Sequence, residues 1–438
     1  MVRRRTLWVC IAAMLALGLP VGQTVPAAEP PAYNEPPAPA PEIAPPGRGP
    51  AETVMARPRP DYDPIGYDMG GFRIFPEIVM STGYDDNIFR TERQVQGDLI
   101  SVVRPRVQMR SDFSQHRLDL TAEAAAGFYA DHSSENFFDY RADARGHVDI
   151  LRGLRLESAL TYEHGHEDRG SVEAGAGTEP TQFDRMAALA VLAAQSGRFR
   201  YRVGLGAASL DYQNVGAIGG GTINNDDRDH LQTDVFGRVS MGVGPDFRVF
   251  TSAALVGRDF RTAVDDSGVN RDSAGLSAVA GVEYGGGGLW FARGYAGYRQ
   301  QVYNDASLSD VAGPVFGGQV TGNITPLTTL TGHFDRDLVD TSVTGASSYW
   351  DTSLRLRADH ELLRNLILSG ALRARQNDFR GIDRSDRLFG GGLALRWLAS
   401  RSVWLTLDAD LDQRTSTGAA RGRDFTQSRI FLRAVLQP

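Results

Sequence analysis

The chain has 438 residues, a hydrophobic fraction of 42% and a formal charge of −7. Its 46 basic residues are all arginine and are interspersed with 53 acidic ones, so the basic footprint of a nucleic-acid binder is missing. The single cysteine is Cys10, inside the N-terminal targeting segment, which removes disulfides, thiolate catalysis and cysteine-ligated metals from the mature chain.

Residues 1–27 have the three parts of a cleaved secretory signal peptide. Arg3, Arg4 and Arg5 form the positive start, Leu7 to Leu19 the apolar run, and Val25-Pro26-Ala27 the small-residue cleavage site. No later stretch reaches the roughly 18 apolar residues of a membrane helix. Residues 28–70 are rich in proline, alanine and glutamate. Such a composition favours extended polyproline geometry and predicts a periplasmic linker, a spacer or a contact for a periplasmic partner.

From residue 71 to 438 the governing pattern has period two, which is a strand pattern. Leu118, Leu120, Ala122 and Ala124 alternate with Arg117, Asp119, Thr121 and Glu123. Ala142, Ala144 and Val148 alternate with Arg141, Asp143, Arg145 and His147. Tyr201, Val203 and Leu205 alternate with Arg200, Arg202 and Gly204, and Leu354, Leu356 and Ala358 with Arg355, Arg357 and Asp359. Leu405, Leu407, Ala409 and Leu411 alternate with Thr406, Asp408, Asp410 and Asp412.

These runs exceed the usual strand of about five or six residues and suit the 9–11 that a tilted strand needs to cross a membrane. Short turns, as at Gly153, Ser196-Gly197 and Thr325-Pro326, alternate with longer polar loops, as at 83–96, 165–180, 213–226 and 414–425. The fold class is therefore all-β: a transmembrane antiparallel outer-membrane β-barrel of about 18 strands. Aromatic residues near strand ends, among them Phe128, Tyr129, Tyr162, Tyr212, Tyr284, Trp290, Tyr303, Trp350 and Trp397, fit interfacial girdles. Pro105, inside a strand pattern, predicts a bulge or a strand break because it cannot donate to the ladder.

The stretch from Arg57 to Thr91 carries Arg59-Pro60-x-Tyr62-x-Pro64, Gly71-Phe72 and Tyr84-Asp85-Asp86-Asn87-Ile88-Phe89. With Asp98, Pro105 and the turn from Ser111 to Arg117, it resembles the putative β-barrel porin 2 family of proteobacterial outer-membrane proteins. The resemblance implies a porin-like barrel, with some members associated with exopolysaccharide export.

The charged face carries the functional expectation. A barrel of about 18 strands is too wide for its own side chains to fill, so its inner face should meet water. Arg141, Arg145, Arg200, Arg202, Arg355, Arg357, Arg373 and Arg375 are predicted to line the pore, with Asp119, Glu123, Asp143, Asp408 and Asp410. Opposed rows of arginine and carboxylate would favour polar, oriented solutes.

Asp85, Asp86 and Asn87 form an extracellular loop motif that could bind a hard cation, make a turn, or share divalent ions with lipopolysaccharide. His164 and His166 share a strand face, but no third ligand can be named, so neither a metal nor a cofactor is predicted. Neither a Gly-x-Ser-x-Gly elbow nor a His-Glu-x-x-His helix is present, and no enzyme is expected.

Three readings stand: a passive channel for polar solutes, a conduit for exopolysaccharide export with periplasmic export partners, and a plugged structural or adhesive barrel. Each implies outer-membrane lipid, lipopolysaccharide and the barrel-assembly machinery as partners.

Overall fold

The computed structural model describes residues 53–175, 177–286 and 289–438. The signal peptide and most of the proline-rich segment lie outside the described residues. One antiparallel sheet of 19 strands contains a short N-terminal strand, Tyr67–Met69, and 18 long ones that form the wall. The wall begins with β1 Phe72–Asp85, β2 Asp98–Ser111, β3 Arg117–Tyr129, β4 Phe137–Leu151, β5 Leu154–His166 and β6 Gln182–Ser196. It continues through β7 Phe199–Tyr212, β8 His230–Gly242, β9 Phe247–Phe260, β10 Ser273–Gly286, β11 Trp290–Tyr303 and β12 Val311–Thr325. It ends with β13 Thr328–Asp340, β14 Ser348–Leu363, β15 Leu366–Arg380, β16 Ser385–Leu398, β17 Val403–Thr417 and β18 Phe425–Leu436.

Each strand pairs with its sequence neighbours, and β1 pairs with β18 from Ile78↔Leu436 to Asp85↔Arg429, closing the barrel. Closure removes the two sheet edges that the first and last strands would otherwise offer to other chains.

The pleat sends alternate side chains to opposite faces, and here the faces are inverted relative to a soluble protein. On β17, Leu407 and Leu411 are 49% and 53% exposed, whereas Asp408 and Asp412 are each 7% exposed. Apolar side chains thus point away from the barrel and charged ones into it. This is the arrangement that a lipid-facing wall requires, and it excludes a soluble sandwich.

The turns at one end are short. At the other end lie longer connections, including residues 86–97, 130–136, 167–181, 213–229 and 418–424. By the usual polarity of such barrels the long connections are extracellular and the short turns periplasmic.

Two expectations need correction. β2 runs unbroken through Pro105, with no bulge: its pairing with β1 is continuous, and its pairing with β3 omits only Arg104 and Pro105 while keeping register. Proline's missing N–H is absorbed as a local gap in one ladder. The aromatic residues also divide. Phe128, Tyr284, Trp290 and Trp397 are exposed on the outer face, but Tyr212, Tyr303 and Trp350 are buried.

The described end of the proline-rich segment is packed rather than a free spacer. Val54 is fully buried, and its N–H donates to Thr329 Oγ1 at 2.9 Å. Arg59 donates to the Val54 carbonyl at 2.8 Å, to the Arg364 carbonyl at 3.3 Å and to Glu361 at 2.9 Å. Trp404 Nε1 donates to the Tyr62 carbonyl at 3.1 Å, and Arg401 to the Pro60 carbonyl at 2.8 Å. Residues 53–63 therefore form a strap along the periplasmic rim, reaching from the β13 and β14 turns to β17.

Candidate functional site: the inner wall and its inward loop

Every residue expected to line the pore sits on the charged face of its strand. Asp143 gathers Arg141 at 2.7 Å and Arg145 at 3.3 Å, and Thr161 donates to it at 2.7 Å. Asp119 pairs with Arg117 at 2.7 Å, Glu123 with Arg106 at 3.8 Å, and Asp408 with Arg433 at 3.0 Å. Arg357 pairs with Asp359 at 2.8 Å, and Arg375 with Asp351 at 2.7 Å. Arg200 and Arg355 lie on the same face, two residues before Arg202 and Arg357.

Several pairs skip a strand, a reach that the concave inner face shortens. Arg202 on β7 reaches Glu157 on β5 at 2.6 Å, past Ala193 on β6. Arg299 on β11 reaches Asp337 on β13 at 3.0 Å. Arg373 on β15 reaches Asp410 at 3.1 Å and Asp412 at 3.0 Å on β17. The intervening β16 makes room with Gly390 and Gly392, where any Cβ would collide with Asp412 and Asp410. The wall is thus a mesh of matched charges, with arginine rows tied to carboxylate rows.

What closes over this wall has no counterpart in the period-two pattern. The connection after β5, residues 167–181, is anchored by side chains from around the extracellular end. Glu167 pairs with Arg228, whose two guanidinium nitrogens both reach it, one at 3.0 Å. Asp168 pairs with Arg90 at 2.8 Å, and Arg169 with Glu135 at 2.6 Å. Arg414, an inward residue of β17, donates to the Gly170 carbonyl at 3.1 Å. Val172 packs against the cluster of Ala346, Tyr349 and Phe379. One loop that touches β17, the β14–β15 region and the loops after β1, β3 and β7 must lie across the barrel mouth.

A second element leans in to meet it. β12 and β13 pair only between Phe316↔Arg336 and Thr325↔Thr328. Beyond that point Leu338 and Trp350 pack on Val311 and Val315, which face inward on β12. The upper β13–β14 hairpin therefore bends into the lumen. There Tyr303 donates to the Ser347 carbonyl at 2.9 Å, and Arg271 donates to the carbonyls of Thr341 at 2.8 Å and Ala346 at 3.1 Å. Arg258 of β9 pairs with Asp340 of this hairpin.

Charge holds the loop contacts. Burial opposes ionisation of Arg228, but the adjacent Glu167 more than offsets it and raises its pKa above the ordinary arginine value. Burial likewise works against the Asp168 carboxylate, yet Arg90 and the Gly170 N–H hold its pKa below the usual carboxylate value.

The Asp85, Asp86 and Asn87 motif serves closure. The Asn87 N–H donates to Asp85 at 2.9 Å, and its amide donates to the carbonyls of Thr91 and Thr426, each at 2.9 Å. Asp86 accepts the Ser428 N–H at 2.7 Å. The motif stitches the first loop to β18 at the seam. His164 and His166 point to separate carboxylates, Asp184 at 3.1 Å and Asp139 at 2.9 Å. Among the described residues no group of three or more His, Cys, Asp or Glu side chains could hold a metal.

A closed barrel of 18 antiparallel strands, apolar outside and charged inside, defines a bacterial outer-membrane protein of the porin type. Residues 59–438 match the family described as Putative beta-barrel porin 2, and the chain belongs to that family. Among solved structures it is similar to OpdO of Pseudomonas aeruginosa, at 14% identity over 83% of this chain and 97% of that one, with a TM-score of 0.45. It is similar to opdK of the same organism at 12% identity over 83% and 99% of the two chains, with a TM-score of 0.42. It is also similar to a mutant of the ferric enterobactin receptor PfeA of that organism at 6% identity over 83% and 80%, with a TM-score of 0.46. No curated protein matches the chain.

Proposed function

We propose that this barrel is a passive channel for polar solutes, without covalent chemistry, whose extracellular mouth is narrowed by the loop 167–181. The inverted wall carries this reading. Charged side chains are turned inward on nearly every strand, and a lumen of about 18 strands holds water unless something fills it. Arginine rows facing carboxylate rows set a transverse field that orients dipolar solutes and disfavours apolar ones.

The meeting of the loop with the inward hairpin favours a second reading, a plugged structural barrel. Single-channel recording of the refolded mature protein in planar bilayers separates the two. A channel shows discrete openings, and a variant lacking residues 170–175 conducts several-fold more. A plugged barrel stays silent when its heat-modifiable gel migration shows it folded.

A further inference from the structure

The inward loop and the inward hairpin join at one carboxylate. Thr341 and Ser342 donate their hydroxyls to Glu173, and the Ser342 N–H adds a third donation at 3.3 Å. Beside this contact lies a small cavity lined by Arg228, Arg258, Arg271, Tyr303 and Asp340, with about 40 Å³ of free space. That admits water but no solute. The three buried guanidiniums already have partners: Glu167 for Arg228, Asp340 for Arg258 and Asp265 for Arg271. Glu173 is therefore an additional anion on this site, and the loop after β5 supplies it.

We propose that Glu173 is an internal stand-in for a solute carboxylate, and that a small carboxylate taking its place on Thr341 and Ser342 releases the loop. This rests on the channel reading above. The donors are specific in number and kind: two hydroxyls and one N–H converge on the two oxygens of one carboxylate. If the loop leaves with nothing in its place, these donors lose a charged acceptor in a partly buried site. A solute carboxylate restores the same bonds and the same local charge, so the exchange at this contact is close to balanced, and it frees the middle of the loop while Glu167, Asp168 and Arg169 still hold its base.

A ligand shifts an equilibrium only by its preference for one state. Here the site is free only when the loop is displaced, so the carboxylate binds the open form alone. Above its dissociation constant, the ratio of open to closed channels rises in proportion to its concentration.

The experiment is planar-bilayer recording at neutral pH and fixed ionic strength, exchanging chloride for acetate, with acetamide as the neutral control. Wild-type open time should rise several-fold with acetate and stay level with acetamide. Glu173→Gln should raise open time without acetate and remove the acetate response. The double variant Thr341→Val, Ser342→Ala attacks the same contact from the hairpin and should behave alike, with gel migration confirming that each variant is folded. Equal wild-type open times in chloride and acetate would overturn the inference if the variant lacking residues 170–175 conducts. Silence of that trimmed variant would overturn the channel reading and this inference with it.

Discussion

The two mouths of the barrel are covered by different kinds of contact. At the periplasmic rim, wall side chains read backbone: Trp404 holds the Tyr62 carbonyl, Arg401 the Pro60 carbonyl, and Thr329 the Val54 N–H. Only the Arg57 and Arg59 pairs with Glu361 involve opposite charges. At the extracellular mouth, ion pairs dominate: Glu167 with Arg228, Asp168 with Arg90 and Arg169 with Glu135. Contacts to backbone do not titrate and tolerate most sequence change in the segment being held. Ion pairs depend on the identity and protonation of both partners. The strap's contacts are thus mostly insensitive to protonation, and the loop's are not.

The largest expected effect comes from removing the one charged point in the strap. Glu361→Ala leaves Arg59, 8% exposed, without its carboxylate. Loss of one partner in a buried pair costs about 3–5 kcal/mol. Chymotrypsin should then cut the strap after Tyr62, which Asp63 follows, at least about a hundredfold faster, by the same energy scale. The heat resistance of the barrel should hold, because the strap is outside the wall. If cleavage is unchanged, the backbone contacts alone hold the strap.

The matching change at the other mouth is Arg228→Ala, which strands Glu167. The local cost is again on the order of 3 kcal/mol, but the expected readout differs: longer channel openings and no new protease site in the strap. The two sites lie at opposite ends of the barrel, so the effects of the double variant should add. A change in strap cleavage caused by Arg228→Ala would show that the mouths are coupled.

Acid sharpens the contrast. Asp168 is held below the ordinary carboxylate value of 3.8 because Arg90 and the Gly170 N–H outweigh its burial. A depressed folded-state pKa gives stability that is present above the unfolded value and is lost as pH falls through the folded one. Channel opening should therefore be flat from pH 7 to pH 5 and should rise only below about pH 4. Asp168→Asn should produce the acid behaviour at neutral pH, with a smaller effect of about 1 kcal/mol because the side chain is 27% exposed.

The wall was legible in the sequence because its cause is local. A strand that faces lipid on one side and water on the other must alternate, and Leu407 to Asp412 does so without exception. The ion-pair partners were not legible. Arg373 meets Asp410 and Asp412 across an intervening strand, and only Gly390 and Gly392 hinted that something large was expected opposite. The inward loop left less trace, since loops have no period. Its anchors Arg90, Glu135 and Arg228 belong to three other loops whose nearness is a product of closure. Tyr212 and Tyr303 were misplaced for a related reason: an aromatic near a strand end suits both the lipid interface and the rim of the lumen, and only parity separates them.

The smallest effect is expected at the seam, and it tests whether contact type, rather than location, sets behaviour. Asn87 lies at the extracellular mouth among the ion-paired loops, yet it works as the strap contacts do. It is fully buried, and its amide reads the carbonyls of Thr91 and Thr426 and accepts the Thr91 N–H at 3.0 Å. Asn87→Ala should cost about 1–2 kcal/mol, the penalty for leaving buried backbone groups without partners. The loss should appear as a lower temperature for the gel-shift transition, since Asn87 ties β1 to β18 where the barrel closes. Conductance, its pH dependence and its salt dependence should be those of the wild type. If the variant instead opens the channel, seam and loop act as one unit, joined through Arg90, which holds Gln427 on one side and Asp168 on the other.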